Sequence, residues 1–232
     1  MWHQAHSRDD RFSPHVRENV SIVDEATLPF PSDFRWGTAT SAHQCEGSLT
    51  NNDWVAWEKI PGFTADGTDS SRTCQWWEGR YKEDLDLAQS MGQNALRLSI
   101  EWSRIEPDEG QWDYDAIARY RDILSTLLAR GIEPMVTLFH FTTPLWLAER
   151  GGWENEAAVR CFDRFVSKVV EALGDLVDLW CTINEPNVYA VQSYLLGIWP
   201  PQKRSVLATF RVLRHLQQPH SSAGITKKTL QR

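Results

Sequence analysis

Apolar runs of strand length alternate with amphipathic runs of helix length along most of this sequence, and that alternation narrows the fold more than any other feature. A short strand is expected over residues 34–40, entered through Pro29 and Pro31. Residues 51–74 are rich in Gly, Asp, Thr and Ser and read as a long loop, and a loop of that length is usually functional. Residues 81–91 predict a helix stopped by Gly92. Residues 94–100 predict a strand in which Arg97 sits among Ala95, Leu96, Leu98 and Ile100. Residues 113–130 predict a helix with Ile117, Tyr120, Leu124, Leu127 and Leu128 on one face, closed by Gly131. Residues 132–139 follow as an apolar strand. Val159, Phe162, Phe165, Val166, Val169, Val170 and Leu173 mark the next helix, which Gly174 ends. Residues 179–183 predict a fourth strand and residues 206–216 a last helix.

Strands that alternate with helices imply βαβ units and a parallel sheet, so the fold class is α/β. The apolar strand interiors imply a sheet covered on both faces. Four β units suit a doubly wound sheet, or a (β/α)8 barrel cut near its middle. The doubly wound alternative lacks a glycine-rich phosphate loop after the first strand, and nucleotide binding goes with it. Residues 1–28 are polar and mixed in charge and are expected to be a poorly ordered leader. Residues 29–216 are the expected folded part. From residue 217 to 232 the helical pattern breaks at Pro219 and an atypical polar tail follows.

The net charge of −7 argues against a nucleic-acid partner, because binding phosphates takes a basic surface. No apolar run of about 18 residues occurs, so no membrane partner is expected. The N-terminus has no apolar core of signal-peptide length, and a cytoplasmic setting is expected. Cys45, Cys74, Cys161 and Cys181 form no C-x-x-C and no pair spaced as metal ligands, so no metal and no other cofactor is expected. Cys161 and Cys181 lie in apolar segments and are expected to be buried thiols. The 12 Trp residues allow two roles: indole plates fill cores, and they also stack on the flat C–H faces of sugars.

Folds of this kind place their sites at the C-terminal ends of strands. Polar residues lie there. The first strand leads into Gln44-Cys45-Glu46-Gly47, the third ends at His140, and the fourth ends at Asn184-Glu185-Pro186. Glu185 follows an apolar strand and is expected to emerge into a cleft. Burial there would favour the protonated carboxyl, and a protonated carboxyl can protonate a glycosidic oxygen.

Thr182-Ile183-Asn184-Glu185-Pro186 resembles the T-x-N-E-P motif of family 1 glycoside hydrolases. Residues 34–47 are similar to that family's N-terminal signature, and residues 94–105 to its second-strand block. Gly151-Gly152-Trp153 and residues 196–201 fit in order. The resemblance implies a (β/α)8 TIM barrel, here as about four β/α units, a half-barrel. It implies a retaining β-glycosidase of β-glucosidase type, acting on terminal β-linked glucosides or galactosides, whose partner is a β-glycoside or oligosaccharide. It also implies roles: Glu185 as acid and then base, Gln44 and His140 on sugar hydroxyls, Asn184 on the 2-hydroxyl, and Arg97 beneath the site in support. Where the family commonly has Trp after the histidine, this chain has Phe141, which keeps an aromatic face and loses an indole donor. Glu46 is expected to be structural.

The same resemblance places the nucleophile in a T-E-N-G-like block on a seventh strand, and this sequence contains no Glu-Asn-Gly. Glu154-Asn155-Glu156 is its nearest look-alike, and helix capping accounts for it. The alternative to an enzyme is therefore a non-catalytic sugar-binding or interaction fragment. A half-barrel has open strand edges and bared inward residues, so self-association, or a chain supplying the second half, is expected.

Overall fold

The computed structural model describes residues 30–218. The expectations for residues 1–28 and for the tail from Pro219 onward lie outside the described residues. Residues 30–34 belong to a separate unit from the body that starts at Arg35.

That body is built on one parallel sheet. Its strands are β1 (Gly37–Ala39), β2 (Ala95–Ser99), β3 (Glu133–Phe139) and β4 (Leu179–Ile183), hydrogen-bonded in the order β1-β2-β3-β4. The long helices are α1 (Tyr81–Ser90), α2 (Tyr114–Ala129), α3 (Ala157–Leu173) and α4 (Val206–Gln217). Thus four strand-plus-helix units follow one another, and every strand pairs with its sequence neighbour, as in a barrel wall rather than a doubly wound sheet, whose strand order reverses.

Local chemistry explains the boundaries. The Asp113 side chain accepts from Ala116 N–H and opens α2, and Ser205 does the same for α4 through Ala208. Both α1 and α2 end as the sequence implies. Gly92 and Gly131 take left-handed φ of 75° and 70°. In each case the following residue donates back five positions, Gln93 to Ala88 and Ile132 to Leu127, which satisfies carbonyls that the helix end leaves free. The apolar face expected of α3 is buried in full. That of α2 is not: Leu128 is exposed, and Ala116 and Ile123 complete the buried stripe, because Leu128 lies a further 100° round from Leu127.

The expectation of a sheet covered on both faces fails. Leu96, Leu98, Val136 and Leu138 face the helices and are buried. The opposite row, Ala39, Arg97, Met135 and Leu179 in register, is not; Met135 is 36% exposed and β1 is exposed throughout. Cys181 lies on this side in register with Thr137 and is half-buried, not buried as its apolar setting implied. Cys161, on α3, is buried as expected.

The segment expected to be a plain loop over residues 51–74 holds a helix, Asp53–Glu58, capped by the Asn52 side chain on Val55 N–H. A six-residue helix spans too few turns for its period to stand out in sequence. Trp102 anchors the helix-side core, stacked on Phe165 at 5.0 Å and packed against Phe162 and Trp153.

Candidate functional site

The C-terminal ends of β1, β3 and β4 carry the residues singled out from the sequence. Gln44 lies in the helical turn Ala42–Cys45 after β1, His140 and Phe141 directly after β3, and Asn184 and Glu185 directly after β4. Gln44, His140 and Phe141 line one small cleft of about 60 Å³, together with Ser41, His43, Trp54 and Thr142. Larger hollows lie elsewhere, one of about 120 Å³ beside Asp53, Tyr189 and Tyr194 and one of about 480 Å³ beside Trp77 and Arg104. Neither holds an expected site residue, so volume is a poor guide here. Convergence of strand ends is the better one.

Arg97, on the open face of β2, ties Asn184 to this cleft; Glu185 is not among the residues that line it. Its guanidinium donates to Thr137 Oγ1 at 3.0 Å, to His140 Nδ1 at 3.4 Å and to Asn184 Oδ1. Arginine has no acceptor, so these bonds set the orientation of both partners. His140 must accept at Nδ1 and carry its proton on Nε2. Asn184 must turn its oxygen to Arg97, which leaves the amide NH₂ for another acceptor. Burial, and then the nearby Arg97 charge, push the His140 pKa down to about 4. The ring is therefore neutral near pH 7 and offers one donor, Nε2–H. Asn184 is buried, and its N–H donates to Phe139 C=O at 2.9 Å, which locks the exit of β4 to β3.

Phe141 and Glu185 are both non-glycine residues with positive φ, 75° and 42°. Side-chain-bearing residues rarely hold this conformation, and it collects at functional sites. Glu185 is exposed. Its backbone carbonyl accepts from Tyr189 N–H at 3.0 Å, and its carboxylate makes no hydrogen bond or ion pair among the described residues. The burial expected for a proton donor is absent, because among the described residues no further strand pairs with β4.

Of the look-alike Glu154-Asn155-Glu156, only Asn155 serves the helix start as capping implied, and Glu154 is held by ion pairs instead; Glu46 is structural, as expected. Glu154 pairs with Lys203 and Arg211, and Asn155 caps α3 by accepting from Ala157 N–H. Glu46 is buried, with Arg104 Nε at 2.8 Å and the Tyr120 hydroxyl at 2.6 Å.

The sequence matches the profile of glycosyl hydrolase family 1 over residues 26–230. The chain belongs to that family. β-Glucosidase A of Thermotoga maritima is 34% identical over 200 residues, which are 84% of this chain and 45% of that protein. Coniferin β-glucosidase of Pinus contorta is 38% identical over 181 residues, 75% of this chain and 35% of that one. Among solved structures, β-glycosidase from Pyrococcus horikoshii matches with a TM-score of 0.78 at 42% identity, over 84% of this chain and 45% of that chain. The T. maritima β-glucosidase solved with cyclophellitol matches at 0.83 and 33% identity, over 86% and 47%. The chain spans less than half the length of these relatives. Its four β/α units correspond to about half of a family 1 TIM barrel.

Four residues that line the cleft were not singled out from sequence: Ser41, His43, Trp54 and Thr142. Trp54 lies in the long segment after β1, whose length alone marked it as functional. The others carried no signal of their own.

Glu46 gives the site end of β1 a measurable pH response. Burial, only partly offset by Arg104 and Tyr120, raises its pKa from 4.5 to about 7. Between those values the unfolded chain has released the proton and the folded chain still holds it. Stability therefore falls as pH rises through that window, by about 3 kcal/mol from this group. Thermal melts from about pH 5 to about pH 8 should show Glu46→Gln losing less stability than the wild type. Parallel losses would show that Glu46 titrates normally.

Proposed function

We propose that this chain carries the acid/base half of a retaining β-glycosidase site for terminal β-linked glucosides or galactosides. One observation carries the proposal: Arg97 joins Asn184 and His140 in one hydrogen-bond network, and His140 shares a cleft with Gln44 and Phe141. Such a cluster offers the His140 Nε2–H, the Asn184 NH₂ and the Gln44 amide as donors and acceptors for ring hydroxyls, with Phe141 as a flat face. Glu185 follows Asn184 directly after β4 and would protonate the departing glycosidic oxygen. The two carboxyls of a retaining site stand about 5–5.5 Å apart. The second one has no counterpart in the sequence motifs of this chain.

The exposed Glu185 carboxylate favours one other reading, a sugar-binding fragment without turnover. Binding and turnover are therefore tested separately. Castanospermine, with which the T. maritima β-glucosidase was solved, is the first probe. Calorimetric titration should show it binding this chain, and Gln44→Ala and His140→Ala should each weaken it about fivefold, the value of one lost hydrogen bond. Binding that both variants leave intact, or no binding of castanospermine or glucose at all, would place the sugar elsewhere.

A further inference from the structure

The hollow of about 120 Å³ is separate from the sugar cleft and differs from it in chemistry. Asp53 lines it, at the start of the helix Asp53–Glu58. Ala148, Pro201, Tyr189 and Tyr194 line it too, so one carboxyl faces walls that are largely apolar. Tyr194 sits on a π-helical turn, Val191–Leu195, a form that collects at functional sites. A Cβ at Gly152 would stand 3.6 Å from the Tyr194 hydroxyl, so the glycine leaves that hydroxyl room. One water needs roughly 10–15 Å³, so the hollow admits a ligand of several heavy atoms.

No cationic side chain pairs with Asp53 among the described residues. Its carboxylate accepts from Thr143 N–H at 2.8 Å and from Trp54 N–H. Desolvation raises its pKa from 3.8 to about 7, and the nearby Glu101 charge adds to the rise, while the two N–H donors and His43 oppose it. A carboxylate withdrawn from water is costly unless a cation stands beside it. The field in the hollow is negative as well. Burial, then the charges of Asp53 and Glu154, push the Tyr194 hydroxyl pKa up against a hydrogen bond with Tyr189. Asp53 also pushes Tyr189 up. Lys203 lines the hollow, but its ammonium is held in an ion pair by Glu154.

These features select among ligands. An anion would be repelled by Asp53 and Glu154. A polyhydroxylated ligand would set hydroxyls against apolar walls and leave them without partners. A metal ion would find too few ligands, since no group of three His, Cys, Asp or Glu that could hold one occurs among the described residues. A small organic cation supplies the charge that Asp53 lacks and an apolar body for the walls.

We propose that this hollow binds a small primary alkylammonium ion, with the ammonium on Asp53 and the alkyl chain against Ala148, Pro201 and the two tyrosines. The Tyr194 hydroxyl is a second acceptor for the ammonium. The site stands without the sugar-cleft reading, although the two share a wall. Trp54, which follows Asp53, lines the cleft, and Tyr189 stacks on the cleft residue Phe141 at 6.2 Å with 6° between the planes.

Calorimetric titration of the full chain with n-propylammonium chloride tests this, with n-propanol and potassium chloride as controls. At about pH 8 propylammonium should bind, and both controls should bind at least about tenfold more weakly, since each lacks either the charge or the alkyl chain. From about pH 8 to about pH 5.5 the affinity should fall about tenfold or more, because Asp53 takes up a proton through about pH 7 while the amine stays charged. Asp53→Asn keeps the shape of the side chain and should weaken propylammonium about tenfold and flatten the pH dependence. A pH dependence that survives in this variant would belong to His43, Glu101, Glu154 or Lys203 and overturns the inference. Binding unchanged by Asp53→Asn overturns it, as do equal binding of propanol or potassium and no binding of propylammonium. Should Asp53→Asn fail to fold, carbon–proton NMR of the wild type decides, with the Ala148 methyl assigned through Ala148→Gly. Propylammonium should shift that methyl at about pH 8 far more than at about pH 5.5, and a methyl that stays still at both overturns the inference.

Discussion

The isolated chain is expected to hydrolyse 4-nitrophenyl β-glucoside at least about 10³-fold more slowly than a full-length family 1 enzyme, the scale of losing one member of a catalytic unit. Double displacement needs an acid on one side of the anomeric carbon and a nucleophilic carboxylate on the other. In the function proposed above, Glu185 supplies the first. For the second, the family's Glu-Asn-Gly is absent from the sequence, and the look-alike at Glu154 is engaged by Lys203 and Arg211. Acid assistance alone leaves the developing positive charge to water. Glu185 is moreover exposed, so water competes at the very group that must hand over a proton. Initial rates should be compared for this chain, for its Glu185→Gln variant and for the T. maritima enzyme. Turnover within tenfold of the complete enzyme, abolished by Glu185→Gln, would mean that a second carboxylate is reached after all. Glu46 and Glu101 would be the first replaced in looking for it. Both are buried and hydrogen-bonded in place, Glu46 to Arg104 and Tyr120 and Glu101 to Ser103 and Thr142, which argues against either serving.

Arg104→Ala is expected to lower stability by about 3–5 kcal/mol near pH 8, the cost of breaking a buried ion pair from one side. Arg104 makes three kinds of contact. Its Nε donates to Glu46 at 2.8 Å, its Nη2 donates to Gly47 C=O at 2.6 Å, and its guanidinium lies 3.8 Å from the Trp77 ring centroid. These contacts fasten the turn after β1 to the turn after β2. Alanine leaves the Glu46 carboxylate buried with the Tyr120 hydroxyl as its partner. At lower pH the carboxyl escapes by taking a proton, so the loss should shrink towards about pH 6. For a domain of this size the melting temperature should drop by about 10 °C. Gln44 sits two residues before Glu46, so castanospermine binding should weaken in the same variant. A loss below about 1 kcal/mol would class the pair with exposed ion pairs, against its burial.

Much of the candidate site was legible in the sequence because Gln44, His140, Phe141, Asn184 and Glu185 each come after a strand. A parallel strand delivers the residue after it to one edge of the sheet, so His140, Asn184 and Glu185 could be placed together without coordinates. Arg97 was visible as a charge inside an apolar strand. Its part as the link between His140 and Asn184 was not, since that depends on which rows of β2, β3 and β4 come into register. A run of aromatic rings was also hidden. Trp54, Trp57, Phe63 and Trp199 are separated by as much as most of the chain, and nothing local says that their rings meet.

The sequence by itself determined the order of strands and helices, their stops at Gly92 and Gly131, and the family motif around Glu185. These depend on period, turn chemistry and neighbours a few residues away. Tertiary structure alone decided which face of each strand is covered. An apolar strand reads the same whether one side or both sides are buried. Here the helices cover Leu98 and Val136, while Met135, Leu179 and Cys181 face the side that no further strand of the described residues closes. It also decided that Glu185 stands in water rather than in a pocket. A carboxyl's surroundings are set by what packs across from it, and that lies beyond the reach of its own segment.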